Sequence, residues 1–424
     1  MKFEPMYKIY YKKGEDEWKR ILDNRRCSES SIVLPIAIHE YNRRHTYTAF
    51  FMYHPELVNL LLSIEQKKHE FVNLAQRVPL VMLWHVMNGF LSSEIKASND
   101  IEGVRSSRRE IQDAIHNIDN KKLRFSSIIT KYKTILEQPR RFIYTSSSDI
   151  RRLYDDIIRD EISKKNQPDG AIFRKDSVDI VNHQDKIIHR GTLPESSIIQ
   201  EIDQALMILN NDDIQLPIRV AIFHYYFGYI HPFYDGNGRT NRFISTAYLA
   251  KHFHPLIALR LSAVIKNNKK QSSLQRQSKT LSLKIKNNKK QYYDAFKMTT
   301  AEINGGDITN FVMEFISIIE KTIDDAIALL DKRIKRLEDE RIKLKAFFES
   351  HQITDQVLQN IYFLLLEARL FSLGAGISKA EILKACNKSR GTIHNRFKQI
   401  PNKYLDTVKQ GRTESYMLKT SILD

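Results

Sequence analysis

The chain has 424 residues, 42% of them hydrophobic, which is room for two or three domains and a sizeable core. It holds no apolar run of the roughly 18 residues a membrane helix needs, and its start, Met1 to Tyr7, lacks the apolar stretch of a secretory signal. Two distant cysteines, Cys27 and Cys386, predict a reducing, cytoplasmic setting with neither a disulfide framework nor a zinc site. The net charge of +17 is local: residues 264–290 carry nine Lys and Arg and no acid, and residues 351–424 carry eleven against six acids. Such local basicity does not make the rest of the chain a nucleic-acid binder.

Residues 1–69 mix β-like runs (Met6–Tyr11, Tyr47–Tyr53) with polar linkers, and Ser31–Ile38 is compatible with helix or strand. They predict a cap packed on the helical region beyond them. From Val81 the period becomes helical, with Leu83, Val86, Met87, Phe90 and Leu91 on one stripe and Gly103 as the stop. Ser98 and Glu102, four apart, share a face of that helix. Residues 104–165 read as two or more amphipathic helices, with Ser126-Ser127 and Ser146–Ser148 as linkers. Ser177–Val181 and Lys186–Arg190 alternate at period two around turn-forming Asn182–Asp185, which predicts a β-hairpin ended by Pro194. Its apolar positions include Val178, Ile180, Ile187 and Ile188, and His183 and His189 read as surface or turn residues. Two helices come next, Ile199–Leu209 and the largely apolar Leu216–Tyr229.

The second of these leads into His231-Pro-Phe-Tyr-Asp-Gly-Asn-Gly-Arg-Thr-Asn-Arg242. Gly236-Asn237-Gly238 lets the backbone take unusual dihedrals and approach a ligand closely. The apolar period after it puts this turn at a helix N-terminus, where free N–H groups and the dipole favour an anion. Arg239 and Arg242, three apart, can grip phosphate oxygens together. Asp235 is a hard oxygen ligand suited to Mg²⁺, and His231 has the ordinary pKa of a general base near neutrality.

These twelve residues match every fixed position of His-x-Phe-x-Asp/Glu-Gly-Asn-Gly-Arg-x-x-Arg, so the region from about 70 to 320 resembles a Fic domain. The resemblance implies a protein adenylyltransferase, which moves AMP from ATP onto a Ser, Thr or Tyr hydroxyl of another protein. In that reading His231 takes the hydroxyl proton and Asp235 holds Mg²⁺ between the α- and β-phosphates. Gly236, Asn237 and Gly238 form the anion hole, Arg239 lies on the phosphates, and Arg242 reaches the γ-phosphate. Phe233 is a buried anchor. The kinase relatives carry Ala-Asn-Lys in the turn and fit worse. Ser98-x-x-x-Glu102-Gly103 resembles the family's inhibitory motif on its N-terminal helix (about 81–103), which implies that Glu102 pairs with Arg242 and keeps it from the γ-phosphate. The hairpin corresponds to the flap that aligns the target segment by strand addition. Two alternatives remain: removal of AMP at the same site, and a DNA-binding regulator whose Fic domain senses nucleotide.

Leu261–Gln271 recurs almost unchanged as Leu281–Gln291, which predicts a basic surface insertion near 271–291. Gly305-Gly306-Asp307 predicts a break and an N-cap. The long helix beyond it runs to Ser350, and its segment 321–350 connects to the last region. Ile323, Ile327, Leu330, Ile334, Leu337 and Leu344 form a heptad-like seam, interrupted by Arg341, that suits a spine or a homodimer contact. Residues 351–424 resemble a winged helix-turn-helix, with helices at Ser378–Ala385 and Arg390–Gln399 and a hairpin through Gly411. Thr392, His394, Asn395, Arg396 and Lys398 are its candidate DNA contacts. The expected fold is thus mainly α, with a small β-hairpin flap and a C-terminal winged helix.

Overall fold

The computed structural model describes residues 3–118, 120, 122–158, 161–181, 187–266, 288–410 and 413–422. It is mainly helical, with three small antiparallel sheets. The chain opens with α1 (Met6–Lys13) and α2 (Glu15–Arg26). The β-like run Met6–Tyr11 is therefore helix. Met6 and Ile9, one turn apart, are both buried with Trp18 and Leu22 of α2 and with Phe50, and this contact overrides the β-propensity of the tyrosines and isoleucine. Strands β1 (Ser31–His39) and β2 (Thr46–Met52) pair from Ser31↔Met52 to His39↔Thr46. The register shifts between Val33 and Ala37, where Pro35 has no N–H for the ladder. Leu34, Ile36 and Ile38 alternate into the core.

Helix α3 (Pro55–Ala75) leads to α4 (Leu80–Ile101), whose C-cap is Glu102 and whose stop, Gly103, has φ +72°. Next come α5 (Arg108–His116), α6 (Ser126–Glu137) and α7 (Ser147–Ile157). Both serine runs expected as linkers begin helices instead. Ser146 closes a capping box with Asp149, and Ser126 is buried in the first turn of α6 beside Ile128 and Ile129. The hairpin is β3 (Asp179–Val181) with β4 (Ile187–Arg190), paired Asp179↔Arg190 and Ile180↔His189. Its expected turn lies outside the described residues.

Helices α8 (Glu195–Leu209), α9 (Leu216–Ile230) and α10 (Asn237–His252) form the centre, followed by α11 (Pro255–Ala258), α12 (Leu261–Lys266) and α13 (Asn288–Thr300). Most of the expected basic insertion lies outside the described residues, and α12 and α13 flank it. The 42-residue α14 (Thr309–Ser350) spans roughly 63 Å. Asp307 does not take the N-cap position, which falls on Ile308. Its Oδ1 accepts from Thr309 N at 2.9 Å while Oδ2 takes Arg25 of α2 at 2.9 Å.

The seam of α14 is buried within the chain, since Ile323, Leu330, Ile334, Leu337 and Leu344 pack in the main core beneath α3 and α15 (Gln356–Phe371). Arg341, which breaks the seam, pairs with the buried Glu367 of α15. The chain ends with β5 (Ile377–Ser378), α16 (Lys379–Cys386), α17 (Arg390–Phe397), β6 (Leu405–Gln410) and β7 (Thr413–Leu418), in the sheet order β5-β7-β6. This part rests on α4: a Cβ on Gly89 would lie 2.1 Å from Leu373, and His85 meets Glu381 at 3.2 Å. Among the described residues no helix is long and apolar enough to cross a membrane.

Leu330 is wholly buried in the middle of α14. Leu330→Ala is expected to lower the unfolding free energy by ~2–5 kcal/mol, read by urea denaturation at constant slope.

Candidate functional site

The site is built where α9 ends and α10 begins. Helix α9 is apolar nearly all round and buried, so its C-terminal end is held rigidly inside the molecule. His231 is its C-cap, with φ +54° and ψ +60° and its N–H bonded to Phe227 O. Glycine or asparagine usually takes this left-handed position, so a histidine there marks a place where surrounding contacts impose the backbone.

Contacts on both sides hold the loop after it. Phe233 is fully buried and stacks on Tyr154 with ring centroids 3.8 Å apart. Asn237 bonds Phe233 twice, accepting its N–H at 3.0 Å and donating to its carbonyl at 2.7 Å. The Asn237 side chain is thus spent on the loop, and only its backbone faces outward chemistry. Gly236 caps α10 at φ +81°, and a Cβ there would meet Ile158 at 2.7 Å. Conformation and space both require glycine.

His231 is half-buried, and its Nδ1 lies 3.4 Å from Gly228 O. Burial pulls the imidazole down to about 4, against the smaller upward effect of that carbonyl. The ring is therefore neutral at pH 7. A proton on Nδ1, shared with the carbonyl, leaves Nε2 as the free acceptor. Asp235 is exposed and accepts from Gly236 N through Oδ1, which leaves Oδ2 open.

Both arginines of the loop are buried, and each meets a carboxylate. Arg242, 1% exposed, donates from Nε to Ser98 Oγ at 3.1 Å, from Nη2 to Ser98 O at 3.0 Å and from Nη1 to Glu102 Oε1 at 2.7 Å. The Glu102 carboxylate also sits over the first turn of α10, because a Cβ on Gly238 would lie 2.1 Å from its Oε1. Arg239 donates to Glu161 at 2.8 Å, and Arg124 approaches the same carboxylate at 3.9 Å. Desolvation raises the pKa of Glu161 despite both arginines.

The structure thus brings together Ser98, Glu102, His231, Asp235, Gly236, Asn237, Gly238, Arg239 and Arg242. The hairpin is stitched to the same place: Thr192 N donates to Ile230 O at 3.0 Å, and His189 Nε2 contacts Tyr229 O at 2.6 Å. His189 is therefore an anchored residue beside the loop and not a free surface one. Val178, Ile180 and Ile187 are half-buried and Ile188 is exposed, and Val178 lies just before β3. His183 lies outside the described residues.

Several neighbours escaped sequence reasoning. Glu161 and Arg174 carry no motif, and the contacts that tie them to the loop, Glu161 to Arg239 and Arg174 to His231, span more than fifty residues. His224 is buried between Ser245 Oγ (2.8 Å) and the Tyr292 hydroxyl (2.6 Å), and burial drives its pKa well down. Glu94 lies four and eight residues before Ser98 and Glu102, so all three share a face of α4. Wholly buried, it accepts from Ser262 N at 2.9 and 3.1 Å, and burial raises its pKa to about 7. Only that i, i+4, i+8 spacing could have pointed to it.

The scaffold is a glycine turn at a helix N-terminus with a histidine before it and two arginines after it, an arrangement whose free N–H groups and dipole favour an anion. The Fic/DOC family model matches residues 144–249, and that part of the chain is a Fic domain. Protein adenylyltransferase Fic of Drosophila mojavensis is 26% identical over 202 residues, covering 46% of this chain and 34% of that protein. The chain thus spans about a third of the length of that curated relative. A Fic family protein from Desulfovibrio desulfuricans shares the fold, with a TM-score of 0.50 at 19% identity over 87% of this chain and 97% of that one. A Fic domain containing signaling protein from Bacteroides thetaiotaomicron aligns at a TM-score of 0.41 and 16% identity, over 64% and 97% of the two chains.

The lowered pKa of His231 has a stability consequence. Between the ordinary 6.5 and about 4 the unfolded chain binds a proton that the folded chain refuses. The contribution is complete above pH 6.5 and is lost as pH falls toward 4, by up to roughly 3 kcal/mol. Unfolding free energies of the parent should fall more steeply over that window than those of His231→Asn, and parallel curves would contradict the shift.

Proposed function

We propose that this protein transfers AMP from ATP to a side-chain hydroxyl of a target protein, and that Glu102 restrains the reaction. The Fic domain and the distant adenylyltransferase relative support the reaction class. The three-point grip of Ser98 and Glu102 on Arg242 is the observation that carries the restraint.

The target oxygen attacks the α-phosphorus as the bond to the β-phosphate oxygen breaks and pyrophosphate leaves. The hydroxyl proton passes to Nε2 of the neutral His231. The N–H groups at the start of α10 face the transferring phosphate. Asp235, with one carboxylate oxygen open to solvent, fits Mg²⁺ as a single protein ligand. Among the described residues no group of three His, Cys, Asp or Glu could enclose a metal, so phosphate and water oxygens would complete its shell. Such an ion supplies charge neutralisation on the phosphates.

Glu102 acts in two ways. It neutralises Arg242, so the guanidinium has no net attraction left for a γ-phosphate. Its carboxylate also lies over Gly238, where it repels any anion approaching the helix N-terminus. Ser98 keeps two of the bonds to Arg242 when Glu102 leaves, so the arginine stays placed for phosphate.

With Mg²⁺, ATP labelled at the α-phosphate and cell extract, Glu102→Gly should raise protein labelling at least about tenfold. His231→Ala in that background should lower it by about 10²–10⁴. Label from the γ-phosphate would identify a kinase. Loss of AMP from pre-labelled protein that disappears in Glu102→Gly would identify the reverse reaction, with Glu102 positioning water.

We also propose that residues 356–422 form a winged helix-turn-helix that binds duplex DNA. The order α15, β5, α16, α17 and the β6–β7 hairpin supports it, as do exposed Lys388, Arg390, His394, Asn395 and Lys398 on and beside α17. Arg396 is not among the free contacts, because it pairs with Asp355 at 2.5 Å. Joint Arg390→Ala and Lys398→Ala should weaken duplex binding and shrink its log–log salt slope by about two. Absence of binding at low salt would leave this part as a protein contact.

A further inference from the structure

Arg174 is fully buried, yet among the described residues it has no carboxylate partner. Its side chain donates to backbone carbonyls instead. Nε reaches His231 O at 2.8 Å and Nη1 reaches Asp176 O at 2.7 Å. Nη2 is shared between Thr192 O at 2.9 Å and Ile230 O at 3.2 Å. A buried cation is costly unless something offsets its charge. Here the C-terminal carbonyls of α9, which have no helical partners and carry the negative end of the dipole, do so.

The geometry around it is specific. A Cβ on Gly191 would lie 2.4 Å from Nη2 of Arg174, 3.0 Å from Ile230 O and 3.1 Å from His231 Cβ. Only glycine leaves room for the guanidinium between hairpin and loop. A fixed strap delivers Arg174 to this place. The Glu195 carboxylate accepts the N–H groups of Ala171 (3.1 Å), Ile172 (2.7 Å) and Phe173 (2.9 Å). The Tyr234 hydroxyl accepts from Asp176 N and donates to Asp169. The Arg174 N–H itself meets Pro232 O at 3.3 Å.

We propose that Arg174 is the positioning residue for His231: its planar fork holds the left-handed backbone of the base and joins it to the foot of the β3–β4 hairpin. Base and hairpin then share one frame, so a strand laid on the hairpin presents its hydroxyl at a set distance from Nε2. The role rests on the transfer reading above. Lysine keeps the charge but cannot span the four carbonyls, which lie in different directions. Among the described residues the hydrogen bonds of the Arg174 side chain go to Asp176, Thr192, Ile230 and His231 and none to residues 235–242, so its loss is expected to spare nucleotide binding. Its charge also adds, after burial, to the forces that keep the imidazole neutral.

The test uses the full chain carrying Glu102→Gly, with Arg174→Lys, Arg174→Gln or Gly191→Ala added. Labelling kinetics should show kcat lowered between about 10- and 100-fold while KM for ATP stays within about twofold. In histidine-labelled protein, NMR titration should show the His231 midpoint rising in Arg174→Gln. Unchanged kcat in folded variants, or a loss carried by KM for ATP, would overturn the proposal. So would failure of all three variants to fold, which would make Arg174 a residue of the core alone. If Glu102→Gly itself transfers nothing, the transfer reading fails instead, and an unmoved His231 midpoint in Arg174→Gln still overturns the role of Arg174.

Discussion

Arg242 imposes the main constraint on this structure. It points inward from the second turn of α10, and at 1% exposure its charge must be met by protein. Three of its hydrogen bonds go to Ser98 and Glu102 at the end of α4, and Tyr292 of α13 meets it from another side, so α4 is tied to α10 in one register. The same helix face carries Glu94, which is fixed by the backbone of Ser262 in α12. One face of α4 thus meets α10 through the Arg242 guanidinium and α12 through the Glu94 carboxylate. Glu102 is the partly exposed member of this set and the one that can leave at least cost to the core.

The loop from His231 to Arg242 obtains its rigidity from parts of the chain that share no local sequence with it. Tyr154 and Ile158 of the α7 region form one wall, against Phe233 and Gly236. The strap from Asp169 to Asp176 forms another, through Arg174 and Tyr234. Glu161 meets Arg239 from a third side. Each of the two arginines thus has a carboxylate from a different segment. The two pairs differ in setting, since the Glu102 side chain is 29% exposed and the Glu161 side chain 12%. The less exposed pair is the more costly to break, because an unpaired buried charge would remain.

The C-terminal part is packed on the N-terminal half of α4, through Gly89 against Leu373 and His85 against Glu381. The C-terminal end of the same helix bears Ser98 and Glu102. One helix therefore carries both contacts. The long α14 serves as the common backing for α3, α9 and α15, and its seam is filled from within the chain.

Sequence by itself determined the parts whose signals are local. The loop residues were legible because a glycine turn, a base and two spaced arginines need fixed short spacings. The i, i+4 pair Ser98 and Glu102 was legible because helical period places both on one face. The long helices and the hairpin announced themselves by period. Helix α1 was not legible, because its tyrosines and isoleucine read as strand until Trp18 and Phe50 supply a helical contact. The serine runs read as linkers because a capping serine and a linker serine look alike until the capped helix is seen. Glu161, Arg174, His224 and Tyr292 were invisible, since each acquires its role from atoms between 21 and 78 residues away. Tertiary structure alone decided which carboxylate meets which arginine, because burial fixes the strength of a charge pair and burial is a property of the packed chain.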